Sequence, residues 1–374
     1  MQRFKRNAAL LGLLAGLPMF VTACAQNENR VAGEAVDAPA QTASAALGSG
    51  VIYTGDEGSN SISALDLATG QVTTTPVKIA PHNVQASRDG RLLLAVGMVA
   101  DNSVGHADGE GAEHGHGHGS GGERGRLLIL DAAKPESWGI AGVEVGSAPA
   151  HVVMDKAGQR AYLTNGGDST LSVVDIAQQK VVSTIKTGAA PHGLRLSPDG
   201  RELYVANTGG GSVSVISVAS GKEEKRIPVG KAPVQVGFTP DGRRVFVSLR
   251  DENRVVVLDT TQRKKVAAVP VGRNPIQLFA TPDGREMYVA NQGSAANPAN
   301  TVSVIDTATN RVTATIVTDK GAHGVVVSDD GQRAFITNTF ADTVSVIDTA
   351  THKVLRNVKV GKAPGGVTFS SRAQ

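Results

Sequence analysis

From residue 51 onward, short runs of branched apolar residues alternate with polar turns. Segments such as ELYVAN (202–207), EMYVAN (286–291) and RAFITN (333–338) are each followed by SVSVIS (212–217) or TVSVID (301–306 and 343–348). Hydroxyl and branched apolar side chains alternate in the later segments, and a period of two predicts strands with one face buried. SPDG (197–200) precedes ELYVAN, and TPDG (239–242 and 281–284) precedes RVFVSL and EMYVAN, with Pro second and Gly fourth in a type I turn. An aspartate ends the third strand in six units, Ser217 standing there in SVSVIS, and a short turn leads to an outer strand such as VTATIV (312–317).

The turn glycine recurs at Gly90, Gly158, Gly200, Gly242, Gly284 and Gly331, at intervals of 68, 42, 42, 42 and 47 residues. A period near 42 with four strands per unit predicts propeller blades. Second strands fall at Val51–Thr54, Leu92–Val96, Ala161–Thr164, Glu202–Ala206, Arg244–Ser248, Glu286–Ala290 and Arg333–Thr337, seven in all. The first has no inner strand before it, whereas APGGVTFSS (363–371) is an inner strand with no partner after it. The expected fold is therefore all-β: a seven-bladed β-propeller of four-stranded blades over residues 50–374, with the C-terminal strand completing blade one.

The tetrapeptides YVAN (204–207, 288–291), YLTN (162–165) and FITN (335–338) resemble the signature of the YVTN family of β-propeller repeats. The resemblance covers about residues 51–374 and implies the fold. It leaves the chemistry open, because propellers host many activities.

The N-terminus changes the picture of charge and location. Arg3, Lys5 and Arg6 precede an apolar run interrupted by Pro18, which has the form of a secretory signal rather than a spanning helix. The run ends in Val21-Thr22-Ala23-Cys24, which resembles a bacterial lipobox, and Cys24 is the only cysteine. That resemblance implies cleavage after residue 23, acylation of Cys24 and attachment to a lipid bilayer in the periplasm. Ala25 in place of aspartate points to the outer membrane. The other reading is an incidental cysteine near an ordinary cleavage site. Residues 24–49 are Ala-rich and polar, as in a flexible tether. Without the three bases of residues 1–23, the 37 Lys and Arg fall to 34, matching 34 Asp and Glu. Nothing in that balance favours nucleic acid.

Eight residues before each turn glycine, at the start of the inner strand, stand His82, Ala150, His192, Val234, Ile276 and His323, with Gly365 in the C-terminal copy. The following slot holds Asn83, His151, Gly193, Gln235, Gln277, Gly324 and Gly366. Six blades thus bring His82, His151, His192, Gln235, Gln277 or His323 to one rim, although neighbouring slots on a regular strand face opposite ways. Two readings stand: a metal or ligand site, or polar groups that satisfy loop carbonyls and channel water. Arg195, inside an inner strand, either pairs with an anion in the channel or forms an interblade salt bridge.

The 68-residue interval marks an insertion of about 98–125 in blade two, on the rim that carries His82. It contains GEGAEHGHGHGSGGERG (109–125), with His106, His114, His116 and His118 beside several acids. Imidazole and carboxylate suit Zn²⁺, Cu²⁺ or Ni²⁺, so the loop is either a flexible chelator or a solvated linker. Three functions follow. One is a binding or scaffold propeller that engages a periplasmic protein or small ligand, and another is a metal-binding or metal-delivery protein. The third is a lactonase-like or haem-binding propeller. Against enzyme activity, the aligned rim slots contain no Asp or Glu, and no CxxCH for covalent haem is present.

Overall fold

The structure, a computed structural model, describes residues 46–100, 124–138 and 142–371. The chain divides into Met1–Ala43 and Ser44–Gln374, and every described residue lies in the second unit. Cys24 falls outside the described residues, as do His106, His114, His116 and His118.

Seven antiparallel four-stranded sheets form the blades of the expected propeller. The C-terminal strand Pro364–Ser370 pairs with Val51–Asp56, so the tail supplies the inner strand of blade one. This ring closure leaves neither Val51–Asp56 nor Pro364–Ser370 as an unpaired edge on that side. Second strands extend beyond the predicted bounds, for example to Asn165, Asn207 and Asn338. The turn prediction holds: Gly200 and Gly242 have φ of +75° and +71°, which a Cβ would strain.

The core consists of seven apolar clusters, one between each pair of adjacent blades. Blade four's Tyr204, Val213 and Val215, for example, pack on blade five's Val236, Val245 and Val247. Outer strands such as Lys222–Pro228 bury little beyond one residue, here Ile227. That gradient explains the sequence pattern, since apolar alternation is strongest in the middle strands, which are covered on both sides.

Two letters of the repeated tetrapeptide have structural jobs. Thr164, Ser248 and Thr337 each accept a backbone N–H from the second rim slot and donate to the next blade's first-slot carbonyl, at His192, Ile276 and Gly365. Asn165, Asn207, Asn291 and Asn338 each donate through Nδ2 to two hydroxyls of the third strand, as Asn207 does to Ser212 and Ser214. Blade one has Asp56 in that place, fully buried, with the hydroxyls of Thr54, Ser61 and Ser63 donating to it. Burial pushes its carboxyl up to about 6, against the lowering effect of those hydrogen bonds.

Candidate metal centre

Each inner strand begins with a β-bulge, as between Pro191 and Leu194 or between Ala322 and Val325. A bulge re-aims the side chains beside it and relaxes strict alternation. First-slot and second-slot residues can therefore meet, and three histidines do so. His82 and His192 come from first slots and His151 from a second slot, with one possible ligand atom from each lying within 4.8 Å of the others. The ring centroids are 5.8 Å apart for His82–His151, 5.2 Å for His82–His192 and 4.9 Å for His151–His192.

The hydrogen bonds around the rings fix their chemistry. His192 Nδ1 lies 3.2 Å from the Val234 carbonyl oxygen, so it donates there. His82 Nδ1 lies 3.3 Å from Glu57 Oε2 and donates to that carboxylate. In both rings the remaining Nε2 carries the lone pair, and these two atoms face each other at 3.2 Å. Two lone pairs at that distance repel unless a cation lies between them, either a shared proton or a metal ion. Tetrahedral nitrogen ligands at 2.0–2.1 Å from Zn²⁺ would lie about 3.3 Å apart, so the spacing fits. Burial alone would lower the pKa of His82, but the charge and hydrogen bond of Glu57 outweigh it, leaving a net rise.

His151 is set differently. Gln235 Oε1 accepts the Val236 N–H, which turns its Nε2 toward His151 Nδ1 at 3.3 Å. That places the His151 lone pair at Nδ1 and its proton at Nε2. His323 lines the same cavity, its Nδ1 donating to the Gly365 carbonyl oxygen at 3.3 Å and its ring centroid 6.2 Å from that of His82. It stands beside the cluster of three rather than within it.

The cavity above the cluster has a volume of about 920 Å³. Its wall includes Glu57, Lys231, Arg250, Asp251 and Met98, the last near the start of the histidine-rich insertion. Gln235 and Gln277 are buried below the rim, and among the described residues Gln277 Nε2 has no hydrogen-bond partner. Arg195 lines a different cavity, at the other end of the inner strands.

Sequence reasoning missed Glu57. It sits in a short 3-10 turn, Glu57–Ser59, in the loop between the second and third strands of blade one, outside the aligned rim slots. The signal was present in GDEGSN (55–60), which places an acid where the other blades have Met98, Gly166, Thr208, Arg250, Gln292 and Thr339.

The YncE-like beta-propeller model matches residues 139–326 and 280–373. The chain belongs to the YncE-like β-propeller family. No curated protein matches it. Among solved structures, hydrazine synthase of Kuenenia stuttgartiensis is similar at 21% identity and a TM-score of 0.62, covering 78% of this chain and 90% of that one. A functionally unknown protein from Desulfotomaculum acetoxidans DSM 771 is similar at 16% identity and 0.66, covering 86% and 99%. A Bacteroides fragilis NCTC 9343 protein described as a candidate 6-phosphogluconolactonase is similar at 13% identity and 0.66, covering 88% and 99%. At such identities these neighbours speak to the fold of this YncE-like propeller and leave its site to be argued from its own residues.

Removing the Glu57 carboxylate tests how His82 is tuned. Glu57→Gln should lower the pKa of His82, moving the acid limit of Zn²⁺ uptake to lower pH. It should also weaken uptake at pH 8 about tenfold by loosening the ring. Equilibrium dialysis between pH 5.5 and 8.5 reads both effects, and an unmoved acid limit would refute the assignment of Glu57.

Proposed function

We propose that this YncE-like propeller is a periplasmic, lipid-anchored metal-binding protein that takes a divalent transition ion at the mouth of its central channel. The observation that carries this reading is the approach of two histidine Nε2 atoms to 3.2 Å, each with Nδ1 committed to an acceptor. Nitrogen donors without a thiolate favour Zn²⁺, Cu²⁺ or Ni²⁺. His82 and His192 would supply the first two ligands and His151 the third, the last after giving up its contact with Gln235. Carboxylate and carbonyl partners at Nδ1 are the usual outer-shell device for holding a ligating imidazole. Acylated Cys24 would tether the ring to the bilayer. The histidine-rich insertion, rooted near the cavity, would collect ions for storage, for delivery or for a protein partner. Dialysis of the full mature chain against Zn²⁺, Cu²⁺ and Ni²⁺, followed by elemental analysis, tests the proposal. A deletion of residues 101–123 separates loop from cavity, and the proposal fails if the deleted protein retains no bound ion.

The Glu57–His82 pair supports a second reading. A carboxylate-oriented imidazole beside a cavity of about 920 Å³ is also a general-base arrangement for water attack on a lactone or ester. Hydrolysis of a lactone panel that is abolished by Glu57→Gln yet indifferent to chelator would favour it over metal binding.

A further inference from the structure

The inner strands also end at a second cavity, of about 250 Å³, lined by Arg195, Phe238, Leu278, Phe279, Val327 and Asp329. Arg195 follows His192 by three residues on the strand Pro191–Leu196, about 10 Å along an extended chain. The two cavities therefore open at opposite mouths of the channel. One takes its lining from the starts of inner strands, and the other from their ends and the adjoining turns at Pro240 and Pro282.

Arg195 is unusual for its position. The equivalent residues of blades two and one, Gln85 and Thr368, accept backbone N–H groups from the next blade, at Met154 and Ala86. Those of blades three and seven are Val153 and Val326. A cation here has no such structural task. Among the described residues its guanidinium makes one hydrogen bond, from Nη1 to the Leu194 carbonyl oxygen at 3.0 Å, and no carboxylate lies within 4 Å of it. A guanidinium has five N–H donors in a planar fork, so most of this one's donor capacity is unused. Burial pulls its pKa down to about 10, which still leaves it charged at neutral pH. Arg195 is half-buried, its guanidinium reaches no carboxylate although Asp329 lines the same cavity, and the rest of the wall is mainly aromatic and aliphatic.

We infer that this cavity binds a small organic monocarboxylate, with the carboxylate on the Arg195 fork and its apolar body against Phe238, Leu278 and Phe279. One guanidinium matches one carboxylate in charge and in bidentate geometry. The volume equals about eight waters, enough for a single ring or a short alkyl chain. Inorganic phosphate and sulfate fit less well, since they carry more charge and no apolar surface.

Titration calorimetry on the full mature chain tests the inference with benzoate, phenylacetate and hexanoate, alongside benzyl alcohol, hexanol, phosphate and sulfate. At least one carboxylate should bind saturably, about tenfold or more tighter than its alcohol, phosphate or sulfate. Arg195→Gln should remove that preference while Zn²⁺ uptake at the other mouth is unchanged. The inference is overturned if no carboxylate binds at about 10 mM. It is equally overturned if alcohol or phosphate binds as well as carboxylate, or if Arg195→Gln keeps the wild-type preference. The ligand panel on wild type decides the matter alone should the variant fail to fold.

Discussion

His192→Ala is expected to weaken Zn²⁺ binding by more than about a hundredfold, a larger loss than outer-shell changes cause. The substitution removes the Nε2 atom 3.2 Å from His82 and leaves an incomplete set of ligands. It also removes the hydrogen bond to the Val234 carbonyl, a change of about 1 kcal/mol in stability, so the ring should stay folded. His352→Ala is the matched control: that histidine pairs with Glu286 at 3.0 Å, away from the cavity, and should leave uptake unaltered. Dialysis of both variants in the background lacking residues 101–123 removes any contribution from the insertion. Equal uptake by His192→Ala and the parent would place the metal elsewhere and sink the proposed centre.

Asp56→Asn should stabilise the protein at neutral pH. The buried carboxyl titrates at about 6 in the fold against 3.8 in the open chain, so ionisation opposes folding. The stability associated with the protonated group is complete below pH 3.8 and is lost as pH rises through about 6. The full difference corresponds to about 3 kcal/mol. Asparagine would restore the arrangement of four other blades, with Nδ2 donating to Ser61 and Ser63 and Oδ1 accepting from Thr54. In urea unfolding, the advantage of the variant over wild type should grow between pH 4 and 7 and then level off. An advantage that does not change with pH would mean that the carboxyl is not perturbed.

The repeat was readable because propeller blades are local units. Alternating apolar residues, a Pro–Asp–Gly turn and a fixed period report strands that pair with their sequence neighbours. Even the closing strand could be inferred, since the count opened on a second strand without an inner strand and ended on an inner strand without a second. The site was less readable. The sequence brought six polar side chains to one rim, and the structure gathers three of them. Gln235 and Gln277 lie beneath, and His323 stands to one side. What separates them is the bulge at each inner strand, whose effect on facing is not written in the pattern of residues. Asp56 was passed over for a related reason. Its place in the asparagine row emerges only when YTGD (53–56) is set beside YLTN (162–165), and its raised pKa comes from burial in the folded blade, against three hydroxyls that lower it.

By itself, the sequence determined the number of blades, their order and the completion of blade one by the tail, because backbone pairing between adjacent segments follows from periodicity and turn chemistry. The tertiary structure alone decided which side chains meet across the channel. His82 and His192 are 110 residues apart, and Glu57 approaches from a third segment. Their contact depends on the radius of the closed ring and on where each bulge points its side chain, quantities that no single repeat contains.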